Sequence, residues 1–501
     1  MKNKNLPLLI CIIASALIVV VALFTKSFWG DEIWSIKFTT LSGQEFINAL
    51  TEDYHPPLYF ILLKVWIYLF GIGELALRSY QFLLGSCFLF SVYLLFNKLI
   101  PNRKFHPVFI LFILSGELWL FLPMLRYYIL ASTLAVLSTY IFFEWINNKR
   151  EKHFYFLLIS YILILYTDYP TAAVIAVHFV YLFFIKGELI KKYLIIIIIT
   201  AASFIPWAII LLSQVGKLLK GERIADLNTS PLVLLLKIGY SLYAFVFSEV
   251  VYPFEALAIT LIILLAVILS LGLNYSTIKT RKYYIAFSAL NILGGILFTS
   301  LLTTFISRHT SFIYTPSRTF FVFPFVYLLF AFLYENLKNK KWKIIFITVF
   351  LILNMYSIYN YSANRHFLMP VYASPWKAIL AEIEGEKGII LADETEVYKY
   401  YSSHLEGEYP EDVNPNTPEE LKKILTEKNI YSIFLLTLGR ESTEPTINIE
   451  LIEYIRSNFK QVSEKKFLYI DESYKKIKNK ILKRESYDAK FTLQKFARTF
   501  K

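Results

Sequence analysis

The amino-acid sequence predicts a polytopic α-helical membrane protein that ends in a small α/β domain. Of the 501 residues, 56% are hydrophobic and 18% are aromatic, more than the roughly 45–50% apolar content of an ordinary soluble domain. The apolar residues come in runs of about 18–22, the length that crosses a hydrocarbon core of about 30 Å. From about Trp376 onward these runs give way to short strand and helix patterns.

Hydropathy predicts about eleven membrane spans. They cover residues 6–24, 76–97, 106–123, 127–146, 154–167, 170–185, 193–213, 254–272, 283–304, 318–335 and 344–359. The first span follows a basic start that resembles a signal peptide. Its apolar run continues to Phe24, which is too long for a cleaved segment, so we interpret it as an uncleaved span. Two further apolar stretches, 57–70 and 233–252, are ambiguous by hydropathy.

Basic residues cluster in the short loops between the spans, and the positive-inside rule places such loops in the cytoplasm. The clusters are Lys2/Lys4 and residues 98–104, 147–152, 186–192, 279–284 and 338–343. If every cluster is cytoplasmic, the N-terminus is cytoplasmic. The stretches 57–70 and 233–252 then do not cross the membrane, but lie along its interface or dip partway into it. The loop 25–56 and the C-terminal domain then face the extracytoplasmic side of the cell membrane.

The net charge of +13 is explained by this topology, so we expect no nucleic-acid partner. Cys11 and Cys87 both lie in apolar segments, and their spacing predicts neither a disulfide framework nor a metal site.

Two domains follow from the composition. Residues 1–360 form the membrane domain, in which the outer loop 25–75 carries the conspicuous polar motifs. Residues 376–501 form a soluble extracytoplasmic α/β domain. Its predicted strands are 388–394, 430–438 and 465–470, and its predicted helices are 417–425 and 448–459. The first of these helices has Thr417 as N-cap, Pro418 at its first position and Glu420 completing a capping box.

Asp31 and Glu32 are adjacent acids just after the first span, in the stretch FWGDEIWSI. They can be a solvated loop start or the N-cap of a surface helix, which Asp favours. Tryptophans at 29 and 34 flank the pair and suit an interfacial position. His55 follows about 24 residues later in DYHPPLYF, where two prolines restrict the backbone. The grouping makes Asp31 and Glu32 candidate catalytic residues. His55 is either a packing or hydrogen-bonding residue or part of the site, where it is a candidate substrate-binding residue.

Four charged residues stand at the predicted outer ends of spans. They are Arg78, Arg126, Asp168 and Arg318. Charges at membrane depth are costly and usually functional, although any single arginine can also extend its charged end to the interface. Because a guanidinium fork matches phosphate oxygens, three arginines at one membrane face predict a site for a phosphate-bearing lipid.

The order of these motifs resembles that of GT-C membrane glycosyltransferases. An acid pair after the first span is followed by HPPL, by LRSYQFLLG and by an outer RYY. The likeness is to protein O-mannosyltransferases and their prokaryotic relatives, including the aminoarabinose transferases. It covers the layout of residues 1–360, with the motifs concentrated in 28–130. The chain has HPPLYF where protein O-mannosyltransferases typically have HPPLGK, so a protein acceptor is not implied.

The resemblance implies that Asp31 is the general base, with Glu32 beside it, and that Arg78 and Arg318 bind a polyprenyl phosphate. The expected partners are a polyprenyl-phosphate sugar, membrane lipids, and a lipid, glycan or protein acceptor. One displacement would invert the anomeric centre, with the sugar a hexose or a pentose. A divalent cation is also a candidate cofactor, because some GT-C enzymes use one and Asp31, Glu32, Asp53 and Asp168 offer hard oxygen ligands.

Two other classes of function compete with the enzyme. A transporter or lipid flippase would carry its charges near the bilayer midplane, often in repeated halves, whereas here the charges gather at one face and no repeat is visible. A membrane scaffold would use its C-terminal domain to bind a partner.

Overall fold

The computed structural model describes residues 5–100, 105–220, 231–253, 255–272, 275–307, 316–366, 370–428, 430–439, 447–467, 476–477, 479–480 and 490–498. The chain folds into two compact units. The first comprises Met1–Val20 and Lys37–Tyr359, and the second comprises Val21–Ile36 and Asn360–Lys501. The segment Val21–Ile36, assigned from sequence to residues 1–360, therefore belongs to the second unit.

The part of the chain before Asn360 is helical wherever it has regular structure in the described residues. Its helices are α1 (Leu6–Thr25), α2 (Gly30–Thr40), α3 (Gly43–Glu52), α4 (Leu58–Phe70), α5 (Glu74–Leu99), α6 (Pro107–Ile113), α7 (Gly116–Phe121), α8 (Tyr128–Asn148), α9 (Glu151–Leu165), α10 (Ala173–Ile185), α11 (Ile190–Lys220), α12 (Pro231–Phe247), α13 (Ala256–Gly272), α14 (Tyr275–Ser307), α15 (Phe323–Asn336) and α16 (Lys340–Ser362). Short 3₁₀ turns at Pro170–Ala172 and Pro316–Val322 precede α10 and α15.

Within the described residues, seven helical segments are long and apolar enough to cross a membrane. They are Leu6–Thr25, Glu74–Leu99, Tyr128–Asn148, Gly187–Val215, Lys282–Leu302, Pro316–Asn336 and Lys340–Ser362. Five shorter apolar helical segments in the described residues are Leu58–Phe70, Pro107–Phe121, Pro170–Ile185, Ile238–Phe247 and Leu257–Leu271. Each of the eleven predicted spans overlaps a helix, which confirms a multi-pass α-helical membrane protein. The direction in which each helix crosses stays a prediction, and residues 2, 4 and 101–104 of the basic clusters lie outside the described residues.

The predicted span 106–123 is interrupted. It consists of α6 and α7, which are separated at Leu114 and Ser115. Ser115 caps α7, because its hydroxyl accepts the N–H of Leu118 at 3.3 Å. Gly116 follows, and a Cβ there would lie 2.2 Å from Cβ of Ser357, so only glycine allows α16 to pass this close. At this break α7 and α16 pack closely together, although the hydropathy pattern of the sequence runs on without interruption.

The second unit contains a five-stranded sheet in the described residues. Its strands are β1 (Ile389–Ala392), β2 (Glu411–Asp412), β3 (Ser432–Gly439), β4 (Phe459–Phe467) and β5 (Lys490–Arg498), in the order β2-β1-β3-β5-β4. β1 is parallel to both β2 and β3, whereas β5 is antiparallel to β3 and β4. Every residue of β1 is buried, as expected of a parallel strand that is covered on both faces.

Helices α17 (Trp376–Ile383), α18 (Thr395–His404), α19 (Pro418–Glu427) and α20 (Ile449–Asn458) complete the second unit. One face of the sheet is packed with apolar residues of α19 and α20. This core contains Ile389, Leu391, Leu421, Leu425, Ile433, Leu435, Leu451, Ile455 and Phe496. The small C-terminal α/β fold that the sequence predicted is confirmed.

The structure of the C-terminal domain differs from the prediction in two details. The hydroxyl of Thr417 accepts the N–H of Glu420 as expected, but the Glu420 carboxylate accepts the N–H of Asn416 at 2.7 Å, one residue before the cap. The third predicted strand, 465–470, is the end of β4, which begins at Phe459. Residues 468–470 lie outside the described residues.

Candidate active site

Asp53 and His55 form a hydrogen-bonded corner between α3 and α4. Oδ1 of Asp53 accepts the backbone N–H of His55 at 2.8 Å and lies 2.7 Å from its ring Nδ1. The next helix is fixed as well, because the N–H of Leu58 donates to the carbonyl of Tyr166 at 2.9 Å. Only 19% of the His55 side chain and 8% of the Asp53 side chain are exposed to solvent. The corner is therefore rigid and mostly buried, as the prolines after His55 predict.

Arg318 joins this corner from the 3₁₀ turn before α15. Its Nη1 donates to the hydroxyl of Tyr127 at 2.8 Å and lies 3.3 Å from Nε2 of His55. Because Nδ1–H of His55 points at Asp53, Nε2 carries the lone pair and accepts from Arg318. The imidazole also packs against the ring of Tyr127, with centroids 5.3 Å apart. Tyr127 and His55 lie 191 and 263 positions before Arg318 in the sequence, yet both contact its guanidinium group.

Arg126 and Asp168 complete the group. The guanidinium carbon of Arg126 lies 5.8 Å from the ring centre of Tyr127, and the side chain is buried. Oδ2 of Asp168 accepts the N–H of Thr171 at 3.0 Å and its hydroxyl at 2.5 Å. The charges of Arg318 and Asp168 act on each other. We call this set the arginine–histidine cluster; its members are Asp53, His55, Arg126, Tyr127, Asp168 and Arg318.

Burial sets the protonation of the cluster's titratable groups. It lowers the pKa of His55, although Asp53 opposes the shift, so the imidazole is neutral at pH 7. Burial also opposes ionisation of Asp53, but its charge interaction and hydrogen bonds with His55 bring the pKa of Asp53 below its usual value. For Asp168, burial outweighs the Thr171 hydrogen bonds and the Arg318 charge and raises the pKa to about 6. Arg126 and Arg318 are therefore the cations of this cluster.

Arg78, the remaining candidate of the first unit, lies in α5. Its Nη1 donates to the carbonyl of Pro123 at 2.5 Å, and its Nε is 3.6 Å from the carboxylate of Glu74. The side chain is 3% exposed. Arg78 thus fixes the backbone at Pro123, three residues before Arg126. Four of the predicted residues, His55, Arg126, Asp168 and Arg318, are brought together in the cluster.

Asp31 and Glu32 belong to the second unit and lie in the first turn of α2. Oε2 of Glu32 accepts the N–H of Trp29 at 3.1 Å, which is the Glu half of a capping box. Glu32 is 2% exposed, whereas Asp31 is partly exposed. Glu32 therefore fixes the start of the helix, whereas Asp31 is the more exposed of the two acids.

The four acids that the sequence offers as metal ligands are Asp31, Glu32, Asp53 and Asp168. Among the described residues, the structure gathers no set of three His, Cys, Asp or Glu side chains that could hold a metal ion. Asp53 and Asp168 are engaged instead by His55 and by Thr171.

Sequence reasoning missed several polar residues. One is Tyr127, which follows Arg126 directly; the signal for it is the sequence RYY, which places two phenols next to the charge. A buried acid pair, Glu117 and Glu249, was missed as well. Oε2 of Glu117 accepts the N–H of Glu249 at 3.0 Å, and the Glu249 carboxylate accepts the hydroxyl of Tyr240 at 3.1 Å. An acid inside the apolar run SGELWLF was the available signal, because charge at such a position is costly.

Two substitutions of Glu117 distinguish its effect on stability as a hydrogen-bond acceptor from its effect as a buried acid. Glutamine keeps an oxygen for the N–H of Glu249 and removes a buried acid, so we expect Glu117→Gln to leave the free energy of unfolding nearly unchanged. Leucine removes the acceptor, so Glu117→Leu is expected to lose about 1–3 kcal/mol because a buried N–H is left unpaired. Denaturation in detergent would measure both. Equal losses in the two variants would contradict this account.

No family model matches the sequence, and a comparison with curated proteins finds no match either. Solved structures do resemble it. The crystal structure of ArnT from Cupriavidus metallidurans bound to undecaprenyl phosphate has a TM-score of 0.47 and 10% identity over 98% of each chain. The Archaeoglobus fulgidus oligosaccharyltransferase in its apo form has a TM-score of 0.43 and 12% identity, covering 86% of this chain and 70% of that one. The same enzyme tethered to an acceptor peptide containing the NVT sequon has a TM-score of 0.41, with 10% identity over 86% of this chain and 69% of that one.

Proposed function

We propose that this chain is a membrane glycosyltransferase that moves a sugar from a polyprenyl-phosphate donor to an acceptor on the extracytoplasmic side. The observation that carries the proposal is the arginine–histidine cluster. Two arginines, a neutral imidazole and a phenol meet in a mostly buried place between apolar helices. Charged groups at such depth usually serve function, and the guanidinium fork suits a phosphate.

The cluster's chemistry fits the departure of a lipid phosphate. When the bond between the anomeric carbon and the phosphate oxygen breaks, negative charge grows on the leaving phosphate. Arg318 is already oriented by its contacts with Tyr127 and His55, so it can stabilise that charge without reorganising. Arg126, buried beside the same tyrosine, adds the second positive charge. Phosphate is a good leaving group once its charge is stabilised, and no separate acid is required in this scheme.

Asp31 is assigned the role of general base in this proposal. Its carboxylate would take the proton of the acceptor hydroxyl while that oxygen attacks the anomeric carbon. A single displacement of this kind inverts the anomeric centre. Glu32 is assigned a positioning role, since its carboxylate already accepts the N–H of Trp29. The sugar class, hexose or pentose, is left to the donor test.

The test is transfer by membranes that contain the protein, supplied with labelled polyprenyl-phosphate hexoses and pentoses. The expected result is release of polyprenyl phosphate and labelling of an acceptor with at least one donor. Membranes prepared without the protein are the control. If folded protein releases no polyprenyl phosphate with any donor and moves labelled lipid between leaflets instead, the enzyme proposal fails and the flippase replaces it.

A further inference from the structure

In the second unit, the segment that leads to Asp31 is held by the C-terminal part of the chain. Nζ of Lys26 donates to Oδ1 of Asn364 at 2.6 Å and to the carbonyl of Tyr361, and it lies 4.1 Å from the centre of the Tyr361 ring. The hydroxyl of Ser27 accepts the N–H of Lys377 at 3.1 Å. Lys26 and Ser27 are both buried. Two successive residues are therefore fixed by polar contacts from beyond residue 360.

The next two residues are held as well. The N–H of Phe28 donates to the hydroxyl of Tyr401 in α18, and the ring of Phe28 is fully buried against Tyr400 and Tyr401. The Trp29 ring packs edge-on against Tyr372, with centroids 5.1 Å apart. A hydrogen bond to a backbone N–H is directional, so the bond to Tyr401 fixes the orientation of the chain as well as its place.

We propose that Tyr401 is a positioning residue for catalysis and that the C-terminal domain serves to fix Asp31 through the segment Lys26–Trp29. This inference rests on the proposed glycosyltransferase function. Asp31 is three residues beyond Phe28, in the first turn of α2, so a shift at Phe28 is passed to Asp31 through a short stretch of backbone. A base displaced by about 1 Å loses up to about a hundredfold in rate, because its lone pair no longer meets the reacting proton.

Tyr401→Phe tests the inference with a matched control in the same helix. Tyr398 is as deeply buried as Tyr401, and its hydroxyl donates to the carbonyl of Pro410 at 2.6 Å, away from the segment 26–29. Both variants lose one buried hydroxyl and keep the ring. We expect Tyr401→Phe to lower kcat about tenfold with an unchanged KM for the donor. We expect Tyr398→Phe to keep kcat within about twofold of wild type while losing about as much stability.

Hydrogen exchange supplies a second readout that does not depend on activity. In Tyr401→Phe the amide hydrogen of Phe28 should exchange faster, and in Tyr398→Phe it should exchange at the wild-type rate. Equal kcat in the two variants, or unchanged exchange at Phe28, would overturn the positioning role. A wild-type protein that transfers no sugar would instead overturn the proposed function and the catalytic role of Tyr401 with it, while exchange would still decide whether Tyr401 holds the segment.

Discussion

Arg318→Gln is expected to lower kcat for sugar transfer by about 10²–10³-fold, which is the usual cost of removing one donor that stabilises developing negative charge. Glutamine is uncharged and shorter than arginine, so it offers no positive charge to the departing phosphate. We therefore expect the loss mainly in kcat, measured as polyprenyl phosphate released per protein molecule.

A lysine at the same position refines this test. Arg318→Lys keeps the charge but has no planar fork with which to contact Tyr127, His55 and a phosphate together. Its kcat should fall between those of wild type and Arg318→Gln. The control is Lys149→Gln, which also removes one positive charge but from an exposed ion pair with Glu188. If Arg318→Gln keeps a third or more of wild-type kcat, or if Lys149→Gln loses as much, then the cluster does not bind the phosphate.

Asp31→Asn is expected to lower kcat by about 10²–10⁴-fold, the range over which a general base contributes. Asparagine has nearly the same shape and keeps the first turn of α2, but its amide cannot take a proton. The KM for the donor should change little, because the phosphate contacts assigned to Arg126 and Arg318 remain. Release of polyprenyl phosphate and labelled acceptor should be measured together, so that hydrolysis of the donor is distinguished from transfer.

Two comparisons make the Asp31 result specific. Glu52→Gln removes an acid from the exposed end of α3 and should keep wild-type turnover. Glu32→Gln keeps an oxygen for the N–H of Trp29 and should retain most of the activity, because its role in the proposal is to fix the helix start. Wild-type turnover in Asp31→Asn would remove Asp31 from the mechanism, and a larger loss in Glu32→Gln would transfer the role of base to Glu32.

The sequence predicted the positions of the apolar helices well because most apolar runs are long. It predicted residues 25–56 as a loop, although α2 and α3 lie there. It did not predict the break at Ser115, since a serine and a glycine within an apolar run leave hydropathy almost unchanged. In the C-terminal domain, β1 and β3 were recognisable as apolar runs. β4 was only partly recognised, because most of its residues are exposed on both faces and show no alternation of apolar and polar side chains. β2 has two residues and offers no pattern.

The candidate site was predicted as a set of residue types, but not as an arrangement. Arginines at the ends of apolar runs were identifiable from the cost of charge in a membrane. That Arg318 meets His55 and Tyr127, whereas Arg78 binds the carbonyl of Pro123, depends on how helices distant in sequence pack. Hydropathy carries no information on that packing. The same reason hid the grouping of Val21–Ile36 with the C-terminal part of the chain.

The hydrogen bond between Phe28 and Tyr401 joins residues 373 positions apart. A ribosome that adds about 5–20 residues per second needs about 20–75 s to travel that distance. Until Tyr361 is made, the segment 26–29 has none of the partners described above, because all of them lie beyond residue 360. The contacts that hold this segment are therefore completed only after Tyr401 has been made. A product that stalls or is truncated before that residue, but still inserts its helices, would carry Asp31 after an unfixed segment.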